Sequence, residues 1–386
     1  MKTPLLSLIP AFLAATALAD LDSSIATILA VGHEGEGNAE AAVAWEELSQ
    51  SGLDEAPAIL AKMDGANPLA ANYLRAAVET IVARETAKGA EAPLAELGQL
   101  LMDVRQDPRA RQFAFELIEG ADPDTAAKLV PGMLNDPSNA LRRRAVAGLI
   151  DEGKAIAENS AGSAILIYRQ ALGGARDVDQ IDEITKALRK LDQEVDLPRH
   201  FGFLMHWQVI APFHNTDREG FAEVFPPENG IDLNATYKGK EDAEIKWQPL
   251  VTSDEFGKVD FNKPYSMLKE VTGYAYTEFN ADADMPVEFR LGGKNGWKVW
   301  INDEFIFGRD EYHRGQRIDQ YIMKAQLKKG KNTILVKCCQ DGQEQDWTVE
   351  WEFKLRVCDA TGTAILAMDR PPTPKPESAS RRPNKG

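Results

Sequence analysis

The chain has 386 residues, with 44 Lys and Arg against 60 Asp and Glu, and a formal net charge of −16. This excess of acid argues against a nucleic-acid binder, because neutralising phosphates needs clustered Lys and Arg, and against docking on an anionic membrane surface. Three cysteines cannot form a disulfide scaffold, and the length is typical of two or three domains.

The first 19 residues follow the pattern of a secretory signal peptide. Lys2 supplies a positive start, residues 5–18 are almost wholly apolar, and Ala17-Leu18-Ala19 is a small-x-small cleavage site. The apolar run is shorter than the roughly 20 residues that a membrane-spanning helix needs, and Pro10 interrupts it. The pattern predicts an exported protein, periplasmic or extracellular, without a membrane span.

Residues 20–198 have the composition of a helical region. They contain 34 Ala and five aromatic residues, whereas residues 199–370 contain 11 Ala and 24 aromatics. Ala, Leu, Glu and Arg favour helix. Segments 75–82, 111–118 and 143–150 are similar to one another, and an Asn-Pro or Asp-Pro pair precedes each. Such a pair favours a helix start, because the side chain caps free amides and Pro at the first position loses no hydrogen bond.

These repeats resemble the HEAT and armadillo-like families, in which an Asp-Pro pair begins the second helix of a repeat. The resemblance implies an α-solenoid over residues 20–196, with stacked helix pairs sharing one core and an acidic concave surface for protein partners. Arg75, Arg111 and Arg143 form either a binding ladder or, as we favour, structural pairs, in which each Arg pairs with an Asp of a neighbouring repeat and stacks its stem over Ala. Helices are expected at 39–48, 163–172 and 177–191.

Residues 199–370 change to an apolar period of two. Segments 285–291 and 347–357 alternate apolar and polar residues, as half-buried strands do. Further strands are expected at 297–301, 304–307 and 333–338, with Asn302-Asp303 as a tight turn. Short strands between Gly, Asn and Asp turns predict an antiparallel β-sandwich or jelly roll. The spacing of Cys338, Cys339 and Cys358 favours buried free thiols over an intermolecular or vicinal bridge.

This second region resembles galactose-binding-like domains of exported bacterial proteins. Residues 203–228 are similar to the entry strand of that fold, 290–303 to its central hairpin, 327–337 to the next strand and 347–359 to the closing strand. The family usually has Asn-Gly at the hairpin turn, where this chain has Asn302-Asp303. The resemblance implies a fold and no activity, since such domains serve as sugar-binding modules, enzyme appendages or spacers.

The sequence contains no Gly-x-Ser-x-Gly, His-Glu-x-x-His or nucleotide-binding motif, and we predict no catalytic residue and no metal ligand. Loop 308–315 is polar and bounded by Gly, and functional residues concentrate in such loops. The candidate ligand contacts are Trp297, Asp310, His313 and Arg314. A surface loop with satisfied ion pairs is the alternative. No cofactor is predicted, although Asp282 and Asp284 could contribute to a structural calcium site, for which a solvated loop is the favoured alternative.

Together these patterns predict an exported, non-catalytic binding or scaffold protein. Its solenoid would take protein partners and its sandwich would take carbohydrate. The alternatives are a carbohydrate-binding accessory of a glycoside hydrolase system and a hydrolase with an unrecognised carboxylate site. Residues 371–386 have five Pro and almost no apolar side chain, and are predicted to form a disordered tail.

Overall fold

The computed structural model describes residues 21–375. The predicted signal peptide and residues 376–386 of the predicted tail lie outside the described residues. The chain divides into two compact units, with the boundary between Leu191 and Asp192. We call residues 21–191 the helical unit and residues 192–375 the β unit. The predicted order, helices first and antiparallel strands second, is confirmed.

Helices make up the regular structure of the helical unit. They are α1 (21–29), α2 (Asn38–Leu48), α3 (Ala56–Ala61), α4 (Pro68–Ala87), α5 (Leu94–Met102), α6 (Pro108–Ala121), α7 (Pro123–Leu129), α8 (Asn139–Ile156), α9 (Ala161–Gly174) and α10 (Val178–Lys190). No helix among the described residues is both long and apolar enough to cross a bilayer.

Two of the three predicted helix starts are capped as expected. The Asn67 side chain accepts hydrogen bonds from the first amides of α4, and that of Asp107 accepts one from the Arg109 amide in α6. The third differs, because α8 begins at Asn139, two residues after Pro137. Asp136 forms a buried, bidentate ion pair with Arg111, at 2.5 and 2.7 Å, and its Oδ1 also accepts a hydrogen bond from the Ser138 amide at 2.8 Å, just before the helix.

The repeated arginines have acidic partners from later segments. The Arg111–Asp136 pair is buried, whereas Arg143 pairs with Asp179 at 2.7 Å in a largely exposed position. Arg75 pairs with Glu116 at 2.9 Å. These contacts link α4 to α6, α6 to the loop before α8, and α8 to α10. The arginines thus have the structural role that we favoured, with Glu116 in place of the expected Asp beside Arg75.

The β unit begins with the short helix α11 (Leu197–Phe201) and contains a second, α12 (Asn262–Tyr265). Its strands are β1 (His206–His214), β2 (Thr236–Lys238), β3 (Glu244–Lys246), β4 (Gln248–Val251), β5 (Lys258–Asp260), β6 (Val271–Ala281), β7 (Met285–Gly293), β8 (Gly296–Ile301), β9 (Glu304–Arg309), β10 (Tyr321–Leu327), β11 (Gly330–Gln340) and β12 (Glu352–Cys358).

The strands form three antiparallel sheets. Their orders are β4-β1-β6-β11-β8-β9, β10-β7-β12-β5 and β2-β3. Side chains of the two larger sheets share one hydrophobic core, in which Phe289 and Phe353 of the smaller sheet meet Val299 and Val336 of the larger. The opposite face of the six-stranded sheet carries a second apolar cluster around Tyr274.

The backbone conformation bears on two local predictions, the turn at 302–303 and the strand over 347–357. Asn302 and Asp303 both have positive φ, 52° and 65°, which a tight turn between β8 and β9 needs. The strand predicted over 347–357 begins only at Glu352, because Trp347 lies in a 3-10 turn. The Thr348 hydroxyl fixes that turn by donating to backbone carbonyls of residues 343 and 345.

The three cysteines and residues 371–375 of the predicted tail lie in the β unit. Cys338, Cys339 and Cys358 are free and buried. Residues 371–375 have no regular secondary structure, and the Thr373 hydroxyl donates to Asp196 at 2.8 Å.

Candidate ligand-binding site

The four predicted contact residues differ in their surroundings. Trp297 is 1% exposed and packs in the core between the sheets, with its ring 4.9 Å from that of Tyr321, so it offers no surface to a ligand. Its position at the start of β8 puts it on the same inward face as Val299. Asp310 and Arg314 are exposed and form no side-chain hydrogen bond to a described residue.

His313 belongs to a buried polar cluster that the sequence did not indicate. Its Nε2 lies 2.8 Å from Asp341 Oδ1, and the two side chains are 5% and 2% exposed. The other oxygen of Asp341 accepts a hydrogen bond from the Arg218 guanidinium at 2.7 Å. Three loops, after β1, β9 and β11, therefore meet on one carboxylate.

The loops that meet at Asp341 contain strained backbone. His313 has φ of 55°, and Asp217 and Arg218 have φ of 51° and 69°, a region that residues other than Gly rarely occupy. A Cβ added to Gly220 would lie 2.3 Å from the carbonyl oxygen of His214, so only glycine fits there. Strain of this kind persists where surrounding contacts enforce it, and it often marks a functional site.

A layer of buried amides supports the cluster from below. The Asn215 side chain donates to the Gln340 carbonyl at 2.9 Å and to the Tyr312 hydroxyl at 3.2 Å. Gln340 accepts from the Asn295 amide through its side-chain oxygen and donates to the Thr348 carbonyl. These bonds connect the three loops and hold them rigidly on the ends of the strands.

Trp347 lies at the surface of this cluster. It is 60% exposed, and its ring meets the His313 ring edge-on, with centroids 5.4 Å apart. The next residue, Thr348, is fully buried and accepts hydrogen bonds from the Lys269 ammonium. The exposed indole is thus carried by a fixed piece of backbone.

The electrostatics of the cluster favour an ionised Asp341. Burial alone would raise the pKa of this carboxyl, but hydrogen bonds from His313, the Gln343 amide and Arg218 outweigh it, so that the pKa lies below its ordinary value. Burial raises the pKa of the Tyr312 hydroxyl, which keeps it neutral.

The arrangement presents a flat apolar ring beside hydrogen-bonding groups. Since Asp341 is a carboxylate, Nε2 of His313 donates to it, and Nδ1 is the other polar atom of the ring. Nδ1 forms no hydrogen bond to a described residue. A ligand that stacks on Trp347 can therefore form a hydrogen bond between a hydroxyl and the His313 ring.

The sequence prediction included His313 but not the residues that bond to it or share its partner, Asp341 and Arg218. The polar segment 341–346 before Trp347 was the available signal, because such a run ends a strand more readily than it begins one. Nothing in the sequence connects Arg218 to Asp341, which lies 123 residues further along the chain.

The described residues contain no group of three or more His, Cys, Asp or Glu that could hold a metal ion. Asp284, one of the two residues considered above for a structural calcium site, accepts a hydrogen bond from the Lys329 amide at 2.6 Å.

Comparison with known proteins gives weak similarities. No protein-family model and no curated protein matches the chain. Among solved structures, a β-glucosidase from Kluyveromyces marxianus is 15% identical with a TM-score of 0.24, over 39% of this chain and 16% of its own. A family 35 carbohydrate-binding module from Clostridium thermocellum is 13% identical with a TM-score of 0.17, over 23% and 72%. A GH2 β-galacturonidase from Eisenbergiella tayi is 8% identical with a TM-score of 0.23, over 40% and 25%.

The chain thus spans a quarter or less of the two enzymes. At these TM-scores the similarities carry no argument about fold or activity. The class defined by the structure alone is a two-unit protein, helical and then antiparallel β, with a rigid aromatic and polar site on the loops of its β unit.

Proposed function

We propose that the β unit is a carbohydrate-binding module of an exported, non-catalytic protein, and that Trp347 is its stacking platform. The supporting observation is the 60% exposed indole of Trp347, fixed against a buried and hydrogen-bonded base. The apolar C–H face of a sugar ring packs on an indole, and its hydroxyls need polar partners at the edge. The His313 ring lies beside the indole, and Arg218 shares the Asp341 carboxylate with it.

We also propose a fold family for each of the two units. Two antiparallel sheets around a shared core fit a galactose-binding-like β-sandwich, and Ala-rich helices joined by arginine pairs fit a HEAT-like solenoid. We retain export as the destination. N-terminal sequencing of the mature protein tests it, with Asp20 expected as the first residue.

A binding role is favoured over hydrolysis by the bonding of Asp341. A glycosidase needs a carboxyl pair free to exchange protons or attack. Both oxygens of Asp341 are engaged, by His313 and the Gln343 amide on one side and Arg218 on the other. Release of reducing sugar by the purified protein would instead support the alternative of a hydrolase.

A glycan array with the full-length protein, followed by calorimetry on the glycans retained, tests the proposal. Trp347→Ala is expected to weaken binding roughly tenfold or more, as loss of a central aromatic contact does. Phe305→Ala is the matched control, because Phe305 is 53% exposed but lies on β9 next to Trp300. The proposal fails if no glycan binds, or if the two variants bind as tightly as each other.

A further inference from the structure

A separate cavity of about 230 Å³ lies in the β unit, where β1 and β6 part. Their pairing ends at Gln208 and Tyr276, although β1 begins at His206. The segment after β12 crosses this opening, and the Met368 amide donates to the Asn280 carbonyl of β6 at 2.9 Å. None of the residues lining the cavity belongs to the Trp347 site.

Arg370 brings a positive charge to this cavity without a bonded anion. Its guanidinium donates to the carbonyls of Phe203 and Pro198, at 2.9 and 3.3 Å, and forms no salt bridge within the described residues. Burial lowers the pKa of Arg370, and the charge of Asp196 offsets only part of that effect. A half-buried cation in this state gains from an incoming anion.

His206 contributes an unused ring nitrogen to the same cavity. Its Nε2 is buried and has no hydrogen-bond partner among the described residues. Burial, together with the charge of Arg370, lowers the pKa of His206, so the ring is neutral near pH 7. Buried polar atoms are normally satisfied, and an unpaired one needs an explanation.

Two carboxylates line the cavity as well. Glu278 uses a single oxygen, Oε1, for both the Tyr276 hydroxyl and the Lys331 ammonium, which leaves Oε2 without a bonded partner. Asp369 is exposed and makes no side-chain hydrogen bond to a described residue. A simple anion would be repelled by these two carboxylates, and a simple cation would be repelled by Arg370.

We propose that this cavity binds a small zwitterion, of which a free α-amino acid is the simplest example. The carboxylate of the ligand pairs with Arg370, and its ammonium donates to Asp369, Glu278 Oε2 and His206 Nε2. Ala367 and Pro371, which are not buried, provide an apolar wall for a short side chain. The volume has room for roughly six to ten non-hydrogen atoms, judged by the volume of water.

Binding of the twenty L-amino acids to the full-length protein, measured by calorimetry, is the first test. The amino acid that binds best is then compared with its analogue lacking the amine and its analogue lacking the carboxylate. Each analogue should bind roughly tenfold more weakly or worse, because each loses hydrogen bonds to a charged group. The proposal is overturned if no amino acid binds, or if either analogue binds as tightly as the parent.

Variants assign the binding to this cavity. Asp369→Asn removes an exposed charge without touching the fold, and is expected to weaken amino-acid binding roughly tenfold. Asp310→Asn, an exposed carboxylate in the loop after β9, is the control and should bind as wild type. Arg370→Gln should abolish binding. Retention of wild-type affinity by both Asp369→Asn and Glu278→Gln would refute the site, whatever Arg370→Gln does to stability.

Discussion

The substitution Asp341→Asn tests whether the cluster beneath Trp347 is held by charge. Asparagine keeps the shape of the side chain but removes the negative charge. Its amide group also places a donor where an oxygen now accepts from His313 or from Arg218. The loops after β1 and β9 therefore lose charge-assisted hydrogen bonds to residue 341, which directly follows β11.

The expected loss follows from the bonds that Asp341 makes. It is 2% exposed and accepts from His313, the Gln343 amide and Arg218. Hydrogen bonds to charged groups contribute about 1.5–3 kcal/mol each. The Arg218 side chain is 47% exposed, so solvent screening places its share at the low end. We therefore expect the free energy of unfolding of the β unit to fall by about 2–4 kcal/mol.

Urea unfolding of the full-length protein, followed by tryptophan fluorescence, measures this change. Six of the seven tryptophans lie in the β unit, so the signal reports mainly on that unit. Asp310→Asn is the control, and should stay within about 0.5 kcal/mol of wild type because this residue is exposed. Equal stability of the two variants would refute the electrostatic account of the cluster.

The same pair of proteins gives a pH prediction. The pKa of Asp341 in the folded state lies below its ordinary value. Its contribution to stability is therefore complete above the unfolded pKa, near 4, and is lost as the pH falls through the lower folded pKa. The difference between wild type and Asp341→Asn should be full at pH 7 and smaller at pH 3. A difference that grows on acidification would contradict this sign.

Three further substitutions test the framework of the two units. Arg111→Met leaves Asp136 buried without its partner and should lower the free energy of unfolding by about 3–5 kcal/mol. Arg143→Met breaks a largely exposed pair and should lower it by about 1 kcal/mol or less. Both changes are measured by urea unfolding followed by circular dichroism at 222 nm. Similar costs would mean that burial does not set the strength of these pairs. Gly220→Ala forces a Cβ onto the His214 carbonyl and should destabilise the β unit by about 2–4 kcal/mol in the fluorescence assay. An unchanged stability would contradict the close contact between residue 220 and that carbonyl.

Regular structure was predictable where periodicity and capping agree. Asn67 and Asp107 precede Pro, cap their helices and fix the starts of α4 and α6. The alternation from Met285 onward fixes β7 because one face is buried. The predicted start of α8 differs from the observed one, because Ser138 precedes the helix. The Asp136 carboxylate accepts from the Ser138 amide and also pairs with Arg111, a partner 25 residues earlier that no local pattern reveals.

The site could not be predicted for the same reason. The residues of the cluster come from loops after β1, β9 and β11, which are neighbours only because of the strand order in the six-stranded sheet. Composition singled out the loop that carries His313. It could not show that Asp341 would lie under it, or that Arg218 would reach the same carboxylate.

Trp297 and Trp347 illustrate what decides between a structural and a functional aromatic. Alternation assigns both to inward positions, yet Trp297 is 1% exposed and Trp347 is 60% exposed. An indole exposed to that degree leaves on the order of 3 kcal/mol of burial free energy unused. Folding gains little from holding such a ring on a strained and buried polar base, whereas a ligand that covers the ring recovers that free energy at binding. The exposed tryptophan therefore argues for a ligand more strongly than the buried one, which has already contributed its surface to the core.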